Sequence, residues 1–290
     1  MPENQNKPAS LHRRITACYG VPKSASRQTA NMLARLQPEW RDTPRKAVSH
    51  LDYPGQTKEY DLLPLVGQEM PAGGVLHIQG WPNVGTLRTV RELKINLALV
   101  LRHPADQICA QESHVRHMRF RQLEAQGLAE DEEALQRELA GVTVDTLIRN
   151  GRLARNLWFM CEWLRATAAL CDDSDIRVAV VRYEDVMADL PGTLRQAGDA
   201  LFDPKPRQDQ IAHAAECFQF HEAKLRLHAN PHVYRFGSSG RVGLHRDYFD
   251  DAGLAAFREV VGHVLAIHPA AKHLCALYPS LPGVPAPVPV

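Results

Sequence analysis

The run from Ile95 to Leu101 (INLALVL) constrains the fold more than any other part of the chain. A near-continuous apolar run of this length is the pattern of a strand covered on both faces, which belongs to parallel sheets with helices above and below. It stops at Arg102, far short of the roughly 20 apolar residues that a membrane span needs, and no other run in the sequence approaches that length. Pro104, just past the strand, suits the first turn of a following helix.

Three more segments read as strands of the same sheet. Arg14 to Tyr19 (RITACY) is short and apolar and ends in Gly20-Val21-Pro22. Val75 to Gln79 (VLHIQ) follows the Gly73-Gly74 turn, and Arg177 to Tyr183 (RVAVVRY) is rich in β-branched residues. Helical patterns lie between them. One begins near Ser26, shows Met32, Leu33 and Leu36 on one face and ends before Pro38. Glu130 to Ala140 is acidic and predicts a solvent-facing helix. Leu153, Leu157, Met160, Cys161, Leu164 and Ala168 recur at spacings of three and four, the stripe of a helix packed on the core. Leu254 to Ile267 is a further helix. The alternation predicts one domain over residues 1–278, a parallel sheet with helices on both faces. Residues 279–290 (PSLPGVPAPVPV), with five prolines in twelve positions, predict an extended, disordered tail.

Composition narrows the function classes. The 290 residues carry 34 Lys plus Arg against 33 Asp plus Glu, so a globally basic nucleic-acid binder is not expected. Met1 to Ser10 is polar, without the apolar centre of a secretory signal. The six cysteines include no C-x-x-C pair and read as reduced, mostly buried thiols, which favours a cytoplasmic setting. None of the 14 histidines has the spacing of a zinc site, and His114 and His117, one helical turn apart, read as exposed or substrate-facing side chains. No metal is expected.

Four segments carry the chemistry. Val21 to Arg27 lies where a strand hands over to a helix, a position whose open N–H groups and dipole favour anions. Lys23 and Arg27 add cations there, and Ser24 and Ser26 add hydroxyls. The Walker A pattern G-x-x-x-x-G-K-[ST] is absent. Arg102-His103-Pro104 stands at the carboxyl end of the buried strand, where ligands bind in open α/β sheets. Arg182-Tyr183-Glu184-Asp185 ends the next long strand. Arg235 to Arg241 (RFGSSGR) is a glycine- and serine-rich loop between guanidiniums. Taken singly, each also reads as an ordinary cap, ion pair or turn.

In this order and spacing they resemble the sulfotransferases that use 3′-phosphoadenosine-5′-phosphosulfate (PAPS) as donor. The family pattern P-K-S-G-[ST]-T reads here as Pro22 to Arg27. R-D-P-R-D reads as Arg102 to Asp106, R-Y-E-D as Arg182 to Asp185, and R-K-G-x-x-G as Arg235 to Gly240. The resemblance spans about residues 14–250 and implies an α/β, P-loop-like three-layer fold with a central parallel sheet flanked by helices. It implies that Lys23, Ser24, Ala25, Ser26 and Arg27 cradle the 5′-phosphosulfate. Arg102 and Arg235 would hold the 3′-phosphate with a backbone N–H from Gly237; Phe236, standing where the family has a lysine or similar residue, would line the donor site beside them, and Tyr183 would lie against the adenosine. The activity implied is transfer of a sulfuryl group to a hydroxyl or amine of a small-molecule, carbohydrate or peptide acceptor.

Several positions depart from the family pattern. Ala25 replaces a glycine, which is comfortable only if its φ stays negative. Ala110 stands where a 3′-phosphate serine is expected, with Ser113 one turn on as a substitute. The family's catalytic histidine falls on Gln79. His77, two residues earlier and so on the same side of the strand, is then either the base or a core histidine, ahead of His103, His114 and Glu112 as candidates. Asp42 to Gly67 and Arg116 to Gly151 are the candidate acceptor segments, the second through Arg116, Arg119 and Arg121. Two other readings remain open at this point, a binding protein of the same fold with decayed chemistry and a kinase using a nucleoside triphosphate.

Overall fold

The computed structural model describes residues 15–21, 23–42, 48–51, 73–78, 80–128, 130–227 and 241–281, with the backbone alone described at 48–51 and 220–227. Its first elements are β1 (Thr16–Gly20), α1 (Ser26–Arg35), a 3₁₀ turn (Pro38–Trp40), β2 (Val48–Leu51) and β3 (Val75–Ile78). There follow α2 (Val84–Glu92), β4 (Asn96–Leu101), α3 (Pro104–Ala125), α4 (Glu132–Ala140), α5 (Val144–Arg149), α6 (Arg152–Cys171) and β5 (Val178–Arg182). The remainder is helical: α7 (Tyr183–Ala188), α8 (Leu190–Leu201), α9 (Gln208–Leu227), α10 (His245–Tyr248), α11 (Asp251–Ile267) and α12 (Ala271–Leu277).

The five strands form one sheet in the order β2-β3-β1-β4-β5, with every pairing parallel. β4 is second from one edge, and all six of its residues are buried. Because strand side chains alternate, its residues divide between two cores. Leu97, Leu99 and Leu101 join a cluster with residues of α3, α6, α11 and α12, while Ala98 and Val100 join one with α1, α8 and α9. Asn96, the polar residue in the run, is tied at the strand's start. Its amide donates to the Leu201 carbonyl at 2.7 Å and its oxygen accepts the Arg177 N–H at 3.2 Å.

The strand order locates the crevice. The connection leaving β1 runs into α1 on one face, whereas that leaving the adjacent β4 runs into α3 on the other. Chains parting to opposite faces leave a cleft at the carboxyl ends of the strands between them. Both turns are set locally. α1 begins at Ala25, whose side chain offers no cap to the N–H groups of its first turn. α3 begins with Pro104 in its first turn, and the His103 ring accepts the Ala105 N–H at 3.3 Å.

Of the six cysteines, all free, Cys18, Cys109 and Cys161 are buried while the other three reach the surface to some degree. Burial pushes the Cys161 thiol up to about 12 and raises those of Cys18 and Cys109 as well. Of the expected tail over 279–290, residues 279–281 are described, and Leu281 is buried in the core cluster rather than extended away from it; the rest lies outside the described residues.

Candidate active site

The turn between β1 and α1 is built against Gly20. A Cβ on Gly20 would stand 2.3 Å from Ser26 Cβ and 2.7 Å from Ser24 Oγ, so the loop folds back onto the strand's last residue and admits only glycine there. The fold-back requires left-handed backbone at alternate residues, φ 71° at Lys23 and 66° at Ala25. The condition that would make alanine comfortable, a negative φ, is not met: Ala25 occupies the glycine-favouring conformation, at about 1–2 kcal/mol. Alternating hand turns successive N–H groups inward, forming a concavity suited to an anion. Ser24 lies inside it, fully buried, and its hydroxyl has no hydrogen-bond partner among the described residues. A buried orphan hydroxyl at the start of a helix with no side-chain cap fits a phosphate-type oxygen. Lys23 is half-buried at the loop's rim, and Arg27 is exposed on the first turn of α1.

Arg102 borders the same cleft from the end of β4. It is only 3% exposed. Its guanidinium donates to the Arg241 carbonyl at 2.9 Å and to the Lys23 carbonyl at 3.5 Å, and lies 4.4 Å from the centroid of the Tyr183 ring. Its Nε is buried without a hydrogen-bond partner among the described residues. Tyr183, for which the resemblance implies contact with the adenosine, is itself buried, with the Arg102 guanidinium over one ring face. Arg182, by contrast, is an ion pair with both oxygens of Asp185 and also holds the Leu277 carbonyl at 2.8 Å. Glu184 accepts the His103 N–H at 2.7 Å, and burial raises its pKa.

Asp106, in the first turn of α3, fastens the segment after the glycine-rich loop. It is 1% exposed and accepts the Gly243 N–H at 2.6 Å, the His245 N–H at 3.0 Å and His245 Nδ1 at 2.7 Å. Burial alone would raise its pKa. The His245 side-chain and backbone bonds, the Gly243 N–H and the Arg102 charge outweigh that and hold the carboxyl below its usual value. The sequence named Asp106 only as a motif letter; its position in a helix's first turn was the available signal.

The remaining candidates are placed as follows. His77 on β3 is fully buried and faces α1, with its Nε2 2.9 Å from Ser26 Oγ. The ring is thus tied to the first residue of α1. Ser113 is buried with its hydroxyl 3.1 Å from Tyr248 Oη, and Ala110 is buried beside it on α3. Arg116 caps α4 through the Leu139 and Val142 carbonyls at 2.8 and 3.4 Å; Arg119 pairs with Glu138 and Arg121 with Glu124. Arg116 is thus buried in the scaffold, whereas Arg119 and Arg121 stay at the surface in exposed ion pairs. His114 is half-buried on α3, with Lys23, His117 and Arg152 as its charged neighbours. Gln79, Arg235, Phe236, Gly237 and most of the segment 42–67 lie outside the described residues. Among the described residues, no cluster of His, Cys, Asp or Glu is arranged to hold a metal ion, and no helix is long and apolar enough to cross a membrane.

No protein-family model matches the sequence, and no curated protein is significantly similar to it. Solved structures do match the fold. A mouse sulfotransferase, SULT7A1, complexed with PAP superposes with a TM-score of 0.56 at 13% identity, over 92% of this chain and 89% of that one. Retinol dehydratase with androsterone and the inactive cofactor PAP gives 0.54 at 16% identity, over 89% and 82% of the two chains. The same enzyme with retinol and PAP gives 0.51 at 16% identity, over 89% and 83%.

Proposed function

We propose that this chain, which has the fold of the sulfotransferases, transfers a sulfuryl group from PAPS to a hydroxyl or amine of a small acceptor. The observation that carries the reading is the phosphate loop. In a fold whose solved examples hold PAP, Lys23 to Ser26 form a left-handed concavity with a buried orphan hydroxyl, and Arg102 stands against it with an orphan Nε.

The residues divide the work between two charged ends of one nucleotide. The N–H groups of Ala25 and Ser26, with the Ser24 hydroxyl, bind the 5′-phosphate, while the Ser24 N–H closes the turn onto the Val21 carbonyl at 3.1 Å. Lys23 meets the charge that develops on the oxygen bridging phosphorus and sulfur as that bond breaks, the kind of preorganised stabilisation worth about 10²–10³-fold per donor. Arg102 binds the 3′-phosphate, held in place by Tyr183 beneath it and by the Arg241 carbonyl. Arg235, Phe236 and Gly237 are proposed to complete that end, as the motif implies. His77 works through Ser26: by fixing its hydroxyl it orients the loop. Catalysis in such a site is mostly positioning and electrostatics, as in phosphoryl transfer.

Retinol and androsterone, named with the retinol dehydratase structures, are apolar molecules bearing a hydroxyl or carbonyl, and they support a small-molecule acceptor over a large one. The test is transfer of labelled sulfate from PAPS across a panel of phenols, sterols and sugars. The wild-type chain is expected to label at least one, and Lys23→Met to lose about 10²–10³-fold in rate while still binding adenosine 3′,5′-bisphosphate. Undiminished transfer in Lys23→Met contradicts the assignment. Binding without transfer across the panel favours the decayed binding protein, a reading to which Ala110 and the engaged Ser113 hydroxyl lend support.

A further inference from the structure

Asp106, Ala110 and Ser113 are spaced four and three residues apart and so share one face of α3. α10 lies against that face and is fastened at both ends. At its start, Asp106 accepts the Gly243 N–H at 2.6 Å, the His245 N–H at 3.0 Å and the His245 Nδ1–H at 2.7 Å. At its end, Tyr248 Oη stands 3.1 Å from Ser113 Oγ. Ala110, between the two fastenings, brings no hydroxyl, and the hydroxyl of Ser113 is engaged. This face of α3 is given to holding α10.

The return that runs into α10 also reaches Arg102. Two residues before Gly243, the Arg241 carbonyl accepts a hydrogen bond from Arg102 Nη2 at 2.9 Å. Arg102 Nη1 donates to the Lys23 carbonyl at 3.5 Å, so its two terminal nitrogens hold the two segments that border the cleft. With those ends taken and the Tyr183 ring 4.4 Å from its central carbon, Nε is left, buried, with no hydrogen-bond partner among the described residues. The return is shaped for this contact. Gly243 has φ 78°, in the left-handed region that favours glycine, and Leu244 after it is buried in the core. The His245 ring stacks on that of His103 at 5.5 Å, and the His103 N–H is held by Glu184 at 2.7 Å.

We infer that Asp106 is the positioning residue for the 3′-phosphate end: by holding Gly243 and His245 it keeps the Arg241 carbonyl on Arg102 and so aims the guanidinium at the donor. The inference deepens the sulfotransferase reading and rests on it. A carboxylate suits this place because its two oxygens accept three N–H groups converging from one turn. Asparagine would present one oxygen there and turn its own N–H groups toward backbone N–H groups. Once released from Arg241, the Arg102 side chain regains rotamer freedom that binding must remove. That penalty falls on nucleotides with a 3′-phosphate, since the 5′-phosphate is held by the other loop. The contact between Asp106 and His245 therefore sets selectivity for a 3′-phosphate without touching the nucleotide.

Calorimetric titration of the full chain with adenosine 3′,5′-bisphosphate and with AMP, which lacks only the 3′-phosphate, tests the inference. Asp106→Asn is expected to weaken bisphosphate binding by about tenfold or more and AMP binding by about twofold at most. Should that buried substitution prevent folding, His245 supplies the test, because its side chain is 28% exposed. His245→Leu removes the Nδ1 donor but leaves both backbone bonds, and is expected to weaken the bisphosphate by about three- to tenfold while sparing AMP. His245→Asn places a side-chain N–H where Nδ1 stands, and is expected to bring the affinity back to within about twofold of wild type. A merely structural role would move both nucleotides together and show no rescue. Unchanged bisphosphate affinity in the folded variants, or equal losses for the two nucleotides, overturns the inference. A wild-type chain that binds the bisphosphate no better than AMP overturns the donor reading and this inference with it. The wild-type titration thus separates the two failures.

Discussion

At Ala25 the loop's geometry and the side chain disagree. Its φ of 66° is imposed by the return of residues 24–26 onto Gly20, a contact between positions that no local propensity reports. The sequence identified Lys23 to Arg27 as an anion site because those residue types follow a strand and open a helix. The sign of one dihedral angle depends on packing and stayed hidden. Replacing Ala25 by glycine is expected to stabilise the fold by about 1 kcal/mol, read as a higher urea midpoint with an unchanged m-value. Loss of stability, as glycine causes in a helix interior, would show that the left-handed conformation is absent in solution. His77 teaches the same lesson. Strand periodicity put it on one side of β3, but only the structure shows that this side holds Ser26.

Among the elements, β4 was legible because its apolar run is long and its burial is two-sided. Leu99→Ala, fully buried at its centre, is expected to cost about 2–5 kcal/mol in denaturant unfolding. β2 was missed. Its four residues, VSHL, carry too little pattern, and it lies at the sheet's edge in a stretch read as an acceptor segment. α3 is harder still, for it buries Asp106, Gln107, Gln111, Glu112, Ser113 and Arg116 alongside its apolar side chains. Such a face defies hydrophobic periodicity because its polar groups are paired across to other elements.

The start of α3 also predicts a pH effect. Burial, then the neighbouring His245 charge, lowers His103 to about 4, against the opposing pull of Asp106. In the unfolded chain the ring titrates near 6.5. Between these values the unfolded state binds the proton and the folded state does not, so stability is complete above about pH 6.5 and falls as pH drops toward 4. His103→Asn keeps a helix-capping oxygen without a titrating ring. It is expected to remove roughly 1–2 kcal/mol of that acid loss, visible as a shallower fall of Tm between pH 6.5 and 4. An unchanged pH slope would show that His103 contributes nothing to it.

For the molecule as a whole, the parallel sheet and its two helical layers followed from strand–helix alternation, and the crevice followed from where β1 and β4 send their connections. What could not be read was how the segment from Arg241 onward returns to that crevice. Asp106, Gly243 and His245 meet across a sequence gap that no spacing rule bridges. That return places the Arg241 carbonyl on Arg102, so the proposed donor site draws on segments far apart in the chain.

The central claim is that this crevice binds a nucleotide with phosphates at both the 3′ and 5′ positions. Calorimetric titration with adenosine 3′,5′-bisphosphate, run beside ADP and AMP, tests it most directly. The account predicts a Kd of about micromolar order, a clear preference for the bisphosphate, and loss of that preference in Arg102→Ala. Absence of binding to all three, or equal binding of ADP and the bisphosphate, would contradict it.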